Sequence, residues 1–198
     1  MTVAVQRLTE SARPKLADHF LKLGPEDIRL RFGATLAPEA IRSYVEGIDF
    51  ASDAVFGVHD EELDLVGVAH VAFRADDAEL GVSVLPDHRA KGVGGALLDR
   101  AVDHARNRFV TRVYMHCLAE NAAMMHIARE AGMTICVEKG EADAFVDVPR
   151  GDAASIAGEF VEQRLALFDY ALKTHAAALK SIATTLGGEQ DKSAGGDR

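Results

Sequence analysis

The chain has 198 residues, of which 48% are hydrophobic and 27% are charged, and its formal net charge is −9. This length suits one well-buried domain and is too short for two full enzyme domains, and the composition excludes disorder for most of the chain. The negative charge argues against a nucleic-acid partner bound through its phosphates, which requires a cationic surface, so a cationic partner fits better.

Targeting features and cysteines indicate a cytoplasmic protein. No uninterrupted apolar run approaches the roughly 18 residues of a membrane span, and Arg7, Glu10 and Arg13 interrupt the segment where a signal peptide would be apolar. The two cysteines, Cys117 and Cys136, form neither a CxxC pair nor a metal-ligand spacing. We therefore expect a cytoplasmic protein with free thiols and no membrane association.

The first fifty residues predict one strand followed by short helices. Residues 3–8 alternate as a strand does, and Thr9 or Ser11 can cap the helix that follows. Pro25 ends this first helix, and Pro25 and Pro38 each suit the first turn of another helix.

From residue 54 the apolar pattern changes to alternation and short runs, which are typical of strands. The predicted elements are strands at 54–58, 63–73 and 79–85, a helix over 93–106, a strand at 112–117, a helix over 120–131, and strands at 133–137 and 144–148. Acidic turns between the first three strands predict an antiparallel meander. The whole order predicts an α/β (α+β) fold, with a mixed, mostly antiparallel sheet flanked by helices.

The last fifty residues differ in kind. Their apolar residues recur at alternating intervals of four and three, as in a heptad seam. The seam residues are Val161, Leu165, Phe168, Leu172, His175, Leu179, Ile182 and Leu186. The pattern predicts a long helix over 149–186, for which packing along its own domain and homodimerisation are equally open alternatives. The domain would then occupy 1–148, and the Gly-rich residues 187–198 predict a disordered tail.

A glycine-rich stretch follows the third strand of the meander. That strand ends at Pro86, a short loop carries Arg89 and Lys91, and three glycines lie where the next helix begins. These are Gly92, Gly94 and Gly95. Free N–H groups and the dipole of such a helix start suit a diphosphate, and a simple tight turn is the alternative. The spacing GxGG, with no Lys-Ser/Thr after it, excludes a P-loop and a dinucleotide fingerprint.

Val84, Pro86, Arg89, Gly92 and Gly94 together form the pattern V-x-P-x-x-R-x-x-G-x-G. This pattern resembles the acetyl-coenzyme A signature of the GNAT superfamily of N-acetyltransferases, and the predicted element order is similar to that fold. The resemblance implies acetyl-coenzyme A as cosubstrate. In such enzymes the strand before the motif splays from its neighbour and pairs with the pantetheine arm, while the loop after it wraps the pyrophosphate.

The resemblance assigns residues to the cofactor by position. They are Val82, Ser83, Val84, Arg89, Ala90, Lys91, Gly92, Val93, Gly94, Gly95 and Asn121. For Asn121, a helix N-cap is an equally supported and compatible interpretation. The sequence departs from the family in two places: Ala128 stands where members with a tyrosine acid keep the tyrosine, and Gly132-Met133 replaces the usual Gly-Phe ending. Another group must therefore handle protons.

Glu79 is the first candidate for the general base. It starts the strand that leads into the glycine-rich stretch, in a segment that is otherwise apolar. Its place resembles that of the glutamate base in bacterial protein lysine acetyltransferases, whose Arg-Phe pair and Ile-Asp-aromatic triplet match Arg31-Phe32 and 48–50. An acidic residue at a strand edge is the alternative interpretation.

His116 is the second candidate, because it ends a neighbouring strand and an imidazole can accept an amine proton near neutral pH. A solvent-facing histidine is the simpler alternative. The histidines form no ligand cluster such as HExxH, so we predict no metal.

The sequence thus predicts an N-acetyltransferase that acts on a primary amine, either a protein lysine or a small molecule, by direct attack. The alternative from another class is a catalytically degenerate sensor of acyl-coenzyme A, whose C-terminal helix serves assembly.

Overall fold

Seven strands and six α-helices make up the part of the chain that the computed structural model describes, which is the backbone of residues 3–193 and the side chains of residues 3–180. They are β1 (Gln6–Arg7), α1 (Arg13–Leu21), α2 (Pro25–Phe32), α3 (Pro38–Glu46), β2 (Ala54–His59), β3 (Leu65–Arg74), β4 (Asp77–Val84), α4 (Val93–Asn107), β5 (Arg112–Leu118), α5 (Ala122–Glu130), β6 (Thr134–Glu138), β7 (Glu141–Asp147) and α6 (Ala153–Ser193). This order confirms the predicted α/β fold with an added C-terminal helix. The first strand is shorter than the predicted 3–8.

The strands form one sheet in the order β1-β2-β3-β4-β5-β7-β6. Neighbouring strands are antiparallel, as the meander predicted, except that β4 and β5 are parallel. The parallel pair is short: its register runs only from Asp77–Arg112 to Glu79–Tyr114. On its other side β4 stays paired with β3 as far as Val84. The sheet therefore splits beyond Glu79, and the second half of β4 has one free edge.

Helices cover the two faces of the sheet unequally. On one face α4 and α5 pack on a core in which Leu97, Ala101 and Val113 are fully buried. On the other face α1 to α3 cover β2 and β3 through residues such as Leu16 and Val68. Because both sides of β2 are covered, all of its residues are buried rather than alternating with exposed ones. Towards β5, β7 and β6 this second face is more open: His116 and Asp143 are exposed, and Tyr114 and Phe145 are half-buried.

The long helix α6 begins at a pair of reciprocal hydrogen bonds. The Ser155 N–H donates to Asp152 Oδ1 at 2.8 Å, and the Asp152 N–H donates to Ser155 Oγ at 2.9 Å. The helix continues to Ser193, past the predicted end at 186. Residues 194–198 of the predicted tail lie outside the described residues.

One polar face of α6 is fastened to α4 by Glu159. Its carboxylate accepts hydrogen bonds from Arg100 at 3.0 Å, from Asn107 at 2.7 Å and from His104 Nδ1. Burial alone would raise the pKa of Glu159, but the hydrogen bonds from His104, Asn107 and Arg100 lower this pKa to about 2. The carboxylate is therefore ionised at neutral pH and ties α6 to the domain of its own chain.

Replacing Glu159 by Gln should lower the free energy of unfolding by about 1–3 kcal/mol at pH 7, because buried donors on α4 lose their charged acceptor. A depressed pKa stabilises the fold above the ordinary pKa of a glutamate, and this contribution is lost as the pH falls through about 2. Urea unfolding between pH 7 and pH 2 should show the difference between E159Q and wild type shrinking in acid.

Glu162→Gln is the matched control, since Glu162 is 57% exposed and lies 3.7 Å from Arg100. It should change the stability by less than about 1 kcal/mol. Equal losses for the two variants would contradict the role given to Glu159.

Candidate active site

A cleft of about 650 Å³ opens where β4 leaves β5. Its walls are the free half of β4, the start of α4, the helix α5 across the gap, and α2. Every residue that the sequence predicted for the cofactor lines this cleft except Lys91, whose ammonium donates instead to the carbonyl of Asp87 at 2.7 Å. The predicted residues are thus brought together in one place.

The start of α4 presents unpaired donors to the cleft. The first hydrogen bond of the helix joins the Ala96 N–H to the Gly92 carbonyl at 3.0 Å, so the N–H groups of residues 93–95 precede it and have no acceptor within the helix. Gly92 has a φ of 78°, which favours glycine. At Gly94 a Cβ would meet Ile127 and Val84 only at 3.7–3.9 Å, so the protein itself does not require a glycine there. These groups fit an anion that approaches the backbone closely.

Arg89 joins the loop before α4 to two other elements. Its Nε donates to the carbonyl of Val84 at 3.0 Å, and its Nη2 lies 2.8 Å from the carboxylate of Asp27 on α2. Arg89 thereby connects the end of β4 with α2 at the cleft. Its guanidinium is 44% exposed and keeps donors for a further partner.

Asn121 caps α5. Its Oδ1 accepts the N–H of Met124 at 3.1 Å, and its Nδ2 donates to the carbonyl of Leu30 at 3.4 Å. The N-cap interpretation is therefore correct, and the same residue also lines the cleft. Ala128, further along α5, is fully buried in the core, so this position offers no group for proton transfer.

Side chains alternate along β4, and this alternation places Glu79. Leu80 and Val82 point into the core under α4, so Glu79, Gly81 and Ser83 lie on the opposite face. Glu79 is exposed and occupies the last pair before the sheet splits, opposite Tyr114. The Tyr114 hydroxyl donates to Glu79 Oε2 at 3.4 Å. Glu79 thus lies at the apex of the split and outside the set of residues that line the cleft.

Burial and the neighbouring Glu79 raise the pKa of Tyr114, so the phenol stays protonated and can continue to donate.

His116 lies two residues beyond Tyr114 on β5 but is turned towards β7. Its Nδ1 is 2.8 Å from Asp143 and its Nε2 is 3.9 Å from Glu141, both on β7. β7 lies on the other side of β5 from β4. The structure therefore engages His116 away from the apex, and it does not line the cleft.

Ser83 is bonded to a buried histidine. Its hydroxyl lies 2.8 Å from His19 Nε2, and His19 Nδ1 lies 2.9 Å from the carbonyl of Leu65. Burial lowers the pKa of His19 to about 4, so the ring is neutral; Nδ1–H donates to Leu65 and Nε2 accepts from Ser83. The hydroxyl of Ser83 is committed to α1, and the backbone of β4 is what this residue offers to the cleft.

The sequence analysis did not identify a series of hydrogen-bonded polar side chains that leads from Asp53 to the cleft. Arg31 Nη2 donates to the Tyr44 hydroxyl at 3.3 Å, this hydroxyl lies 2.8 Å from His70 Nδ1, and His70 Nε2 lies 3.0 Å from Asp53 Oδ2. Three of these residues come from α2, α3 and β3 and the fourth from the loop before β2, so no local spacing could have revealed them. Only Arg31 carried a signal, in the Arg-Phe pair.

In this series of hydrogen bonds, the donor and the acceptor of each bond can be assigned. Burial lowers the pKa of His70, although the bond to Asp53 opposes this, so the ring is neutral. Tyr44 then donates to His70 Nδ1, and Nε2–H donates to Asp53. The oxygen of Tyr44 is left to accept from Arg31, which lines the cleft and packs so closely on Gly81 that any Cβ there would overlap its guanidinium.

The sequence was compared with protein families and with known proteins, and matches were found in both. The model of the family described as "Acetyltransferase (GNAT) family" matches residues 27–133. The streptothricin acetyltransferase of Streptomyces lavendulae is 33% identical over 94 residues, which are 46% of this chain and 49% of that protein. The spermidine N(1)-acetyltransferase of Vibrio cholerae is 28% identical over 89 residues, or 43% of this chain and 50% of that protein. The chain thus spans about half the length of these curated relatives.

A solved structure shares the fold. It is the phosphinothricin acetyltransferase of Sinorhizobium meliloti in complex with AcCoA, with a TM-score of 0.62 at 15% identity, covering 77% of this chain and 92% of that one.

In the part of the chain that the structure describes, no helix is both long enough and apolar enough to span a bilayer. Within the same part, no three His, Cys, Asp or Glu side chains are grouped so that they could hold a metal ion.

Replacing Tyr44 by Phe should lower the free energy of unfolding by about 1–3 kcal/mol, because His70 loses a donor and Arg31 an acceptor in a partly buried site. Urea unfolding measures the loss, and the ¹⁵N shift of His70 Nδ1 should change. Tyr114→Phe is the matched control and should cost less than about 1 kcal/mol, since its hydrogen bond is exposed. A larger loss of stability for Tyr114→Phe than for Tyr44→Phe would show that the hydrogen bonds from Arg31 to Asp53 do not stabilise the fold.

Proposed function

Because the chain belongs to the acetyltransferase (GNAT) family, we propose that it transfers an acetyl group from acetyl-coenzyme A to a primary amine. One observation carries the proposal: the sheet splits after Glu79 and forms a cleft that ends on the glycine-rich start of α4. This single space offers a free strand edge and an anion site side by side. That pairing suits a ligand with an extended amide arm and a diphosphate.

The residues of the cleft fit such a ligand. Over residues 80–84 alternate backbone groups of β4 point away from β3 into the gap, where an amide arm can pair with them as an added strand would. The N–H groups at the start of α4 would hold the pyrophosphate, and the space above Gly94 and Gly95 admits it. Ile127 and Val84 supply apolar wall, and Arg89 adds a positive charge.

Acetyl-coenzyme A supplies the acetyl group as an activated thioester. In direct transfer the amine nitrogen bonds to the acetyl carbon, the carbon–sulfur bond breaks, and the amine gives up a proton. We assign the acceptance of this proton to Glu79, directly or through a water, because its carboxylate lies exposed at the apex of the split. Tyr114 orients the carboxylate through its hydrogen bond.

His116 is the second candidate base. Its contacts with Asp143 and Glu141 hold the ring on the β7 side, which favours Glu79. With Ala128 buried, no side chain at that position reaches the leaving sulfur, and a water is the simplest proton donor.

The surroundings of Glu79 suit a cationic acceptor. Register pairs put Glu79, Tyr114, His116, Asp143 and Glu141 on the same open face of the sheet. Three of these side chains are carboxylates, and they attract a protonated amine before it gives up its proton. Both a protein lysine and a small amine fit this face, and the relative named for spermidine supports the second. We place the reaction in the cytoplasm.

Replacing Gly94 by Val should abolish binding of acetyl-coenzyme A in calorimetric titration, because the side chain would fill the space above the first turn of α4, where its Cβ meets Ile127 and Val84 only at ordinary van der Waals distances. Gly158→Val is the matched control, since Gly158 is also helical and has nothing within 4 Å of its Cβ position. Unchanged binding in G94V would mean that the pyrophosphate does not lie at α4.

Replacing Glu79 by Gln should slow acetyl transfer about 10²–10⁴-fold, because the amide cannot take the proton, while the affinity for acetyl-coenzyme A stays nearly unchanged. Thiol release with a panel of polyamines, small amines and lysine peptides measures this. Glu138→Gln is the control, because Glu138 is an exposed glutamate on β6 and should retain full activity.

Two results would count against the proposal. Full activity of E79Q would remove Glu79 as the base and direct attention to His116. Tight binding of acetyl-coenzyme A without turnover of any acceptor would support the alternative function as an acyl-coenzyme A sensor.

A further inference from the structure

The helix α6 turns its polar residues inward. Glu159 bonds to α4, Gln163 accepts the Arg7 N–H at 3.1 Å, and Lys173 donates to the carbonyl of His59 at 2.8 Å. Ala166 and Tyr170 lie on the same face, the first 4% exposed and the second 4.7 Å from the ring of His59. These residues recur every three or four positions and form the face of α6 that packs on its own domain.

The opposite face of α6 is apolar and exposed. Its large side chains are Val161 (55% exposed), Leu165 (63%), Phe168 (64%), Leu172 (54%) and Leu179 (68%). At roughly 100° per residue, they lie about half a turn away from the packed face. An ordinary surface helix has the reverse arrangement, with its apolar face against the core. Nothing within its own described chain covers this seam, and contiguous exposed apolar surface of this kind marks an interaction site.

We propose that the seam pairs with the same seam of a second copy of this chain, in a parallel two-stranded coiled coil. The five residues fall at the a and d positions of successive heptads, with His175 at the intervening d position. Such a pattern is complementary to itself, so two identical copies satisfy each other around a twofold axis. Each domain sits on the far side of its own α6, which leaves the seams free to meet.

Charges beside the seam favour the parallel orientation. In this register Arg164 occupies a g position and Asp169 the e position of the next heptad. In a parallel, in-register pair, each g position faces the e position of the following heptad in the partner helix. Arg164 of each copy therefore meets Asp169 of the other copy, which gives two ion pairs in the dimer. In an antiparallel pair, g faces g and e faces e, and this match is lost. Asp169 also pairs with Lys173 of its own chain at 2.9 Å, so Arg164 of the second copy would be an additional partner of this carboxylate.

The 198-residue chain should therefore have twice the 21.2 kDa mass of one chain in light scattering at micromolar concentration. Leu165→Glu or Leu172→Glu should raise the dimer dissociation constant at least about 100-fold, because two buried leucines are replaced by charges. Leu167→Glu is the matched control: Leu167 is also an exposed leucine of α6, at 41%, but lies off the seam. It should leave the dimer intact.

Far-UV circular dichroism tells loss of the dimer from loss of the helix. The domain-facing contacts of α6 remain in the seam variants, so the monomeric protein should keep its helical content. A wild-type chain that stays monomeric at every concentration, or a dimer that the seam variants leave unchanged, would overturn the proposal.

Orientation is tested by cross-linking. In a Cys136→Ala background, which removes the exposed native thiol, Leu165→Cys should give a disulfide-linked dimer under mild oxidation. Position 165 lies near one end of the seam, so it meets its own copy when the helices are parallel and in register, and faces the other end of the seam when they are antiparallel. Leu167→Cys should not cross-link. A dimer that fails to cross-link at 165 would refute the parallel register.

Discussion

The structure depends on one interruption of hydrogen bonding: β4 and β5 pair over three residues and then separate. The chain leaves β4 through a loop that turns at Gly92 and enters α4 immediately, so the free strand edge and the unsatisfied helix start lie next to each other. Both hold backbone donors that water or a ligand must satisfy. The positions of α2 and α5 matter because they wall the gap, and Glu79 matters because it occupies the last closed pair.

Local signals in the sequence were enough for the element order, the antiparallel meander and the glycine-rich helix start, since periodicity and glycine act over a few residues. The number of residues over which β4 and β5 pair could not be predicted, because it depends on how α4, which connects these two strands, packs on the sheet. The hydrogen bonds from Arg31 to Asp53 join α2, α3, β3 and the loop before β2, which leaves no sequence spacing to detect. The heptad seam of α6 could be predicted from the sequence, but the face of α6 that packs on its own domain could not. Glu159 and Gln163 are seen to hold the helix only once the structure brings them to Arg100 and Arg7.

Buried polar groups fix the parts of the domain that border the cleft. His19 holds Ser83, His70 joins Tyr44 to Asp53, and Glu159 gathers donors from α4. The two histidines are neutral for the same reason, which is that burial disfavours the charged ring. Each bond then has one direction, and a network with defined directions holds its elements in one arrangement rather than several.

The commitment of the Ser83 hydroxyl to His19 has a consequence for how such a site evolves. If a cleft recognises its ligand chiefly through main-chain groups, most side chains around it can be exchanged without loss of binding, and only positions where a Cβ would intrude are restricted. Sequences can then drift far apart while the backbone shape persists. The phosphinothricin acetyltransferase of Sinorhizobium meliloti shares this fold at 15% identity.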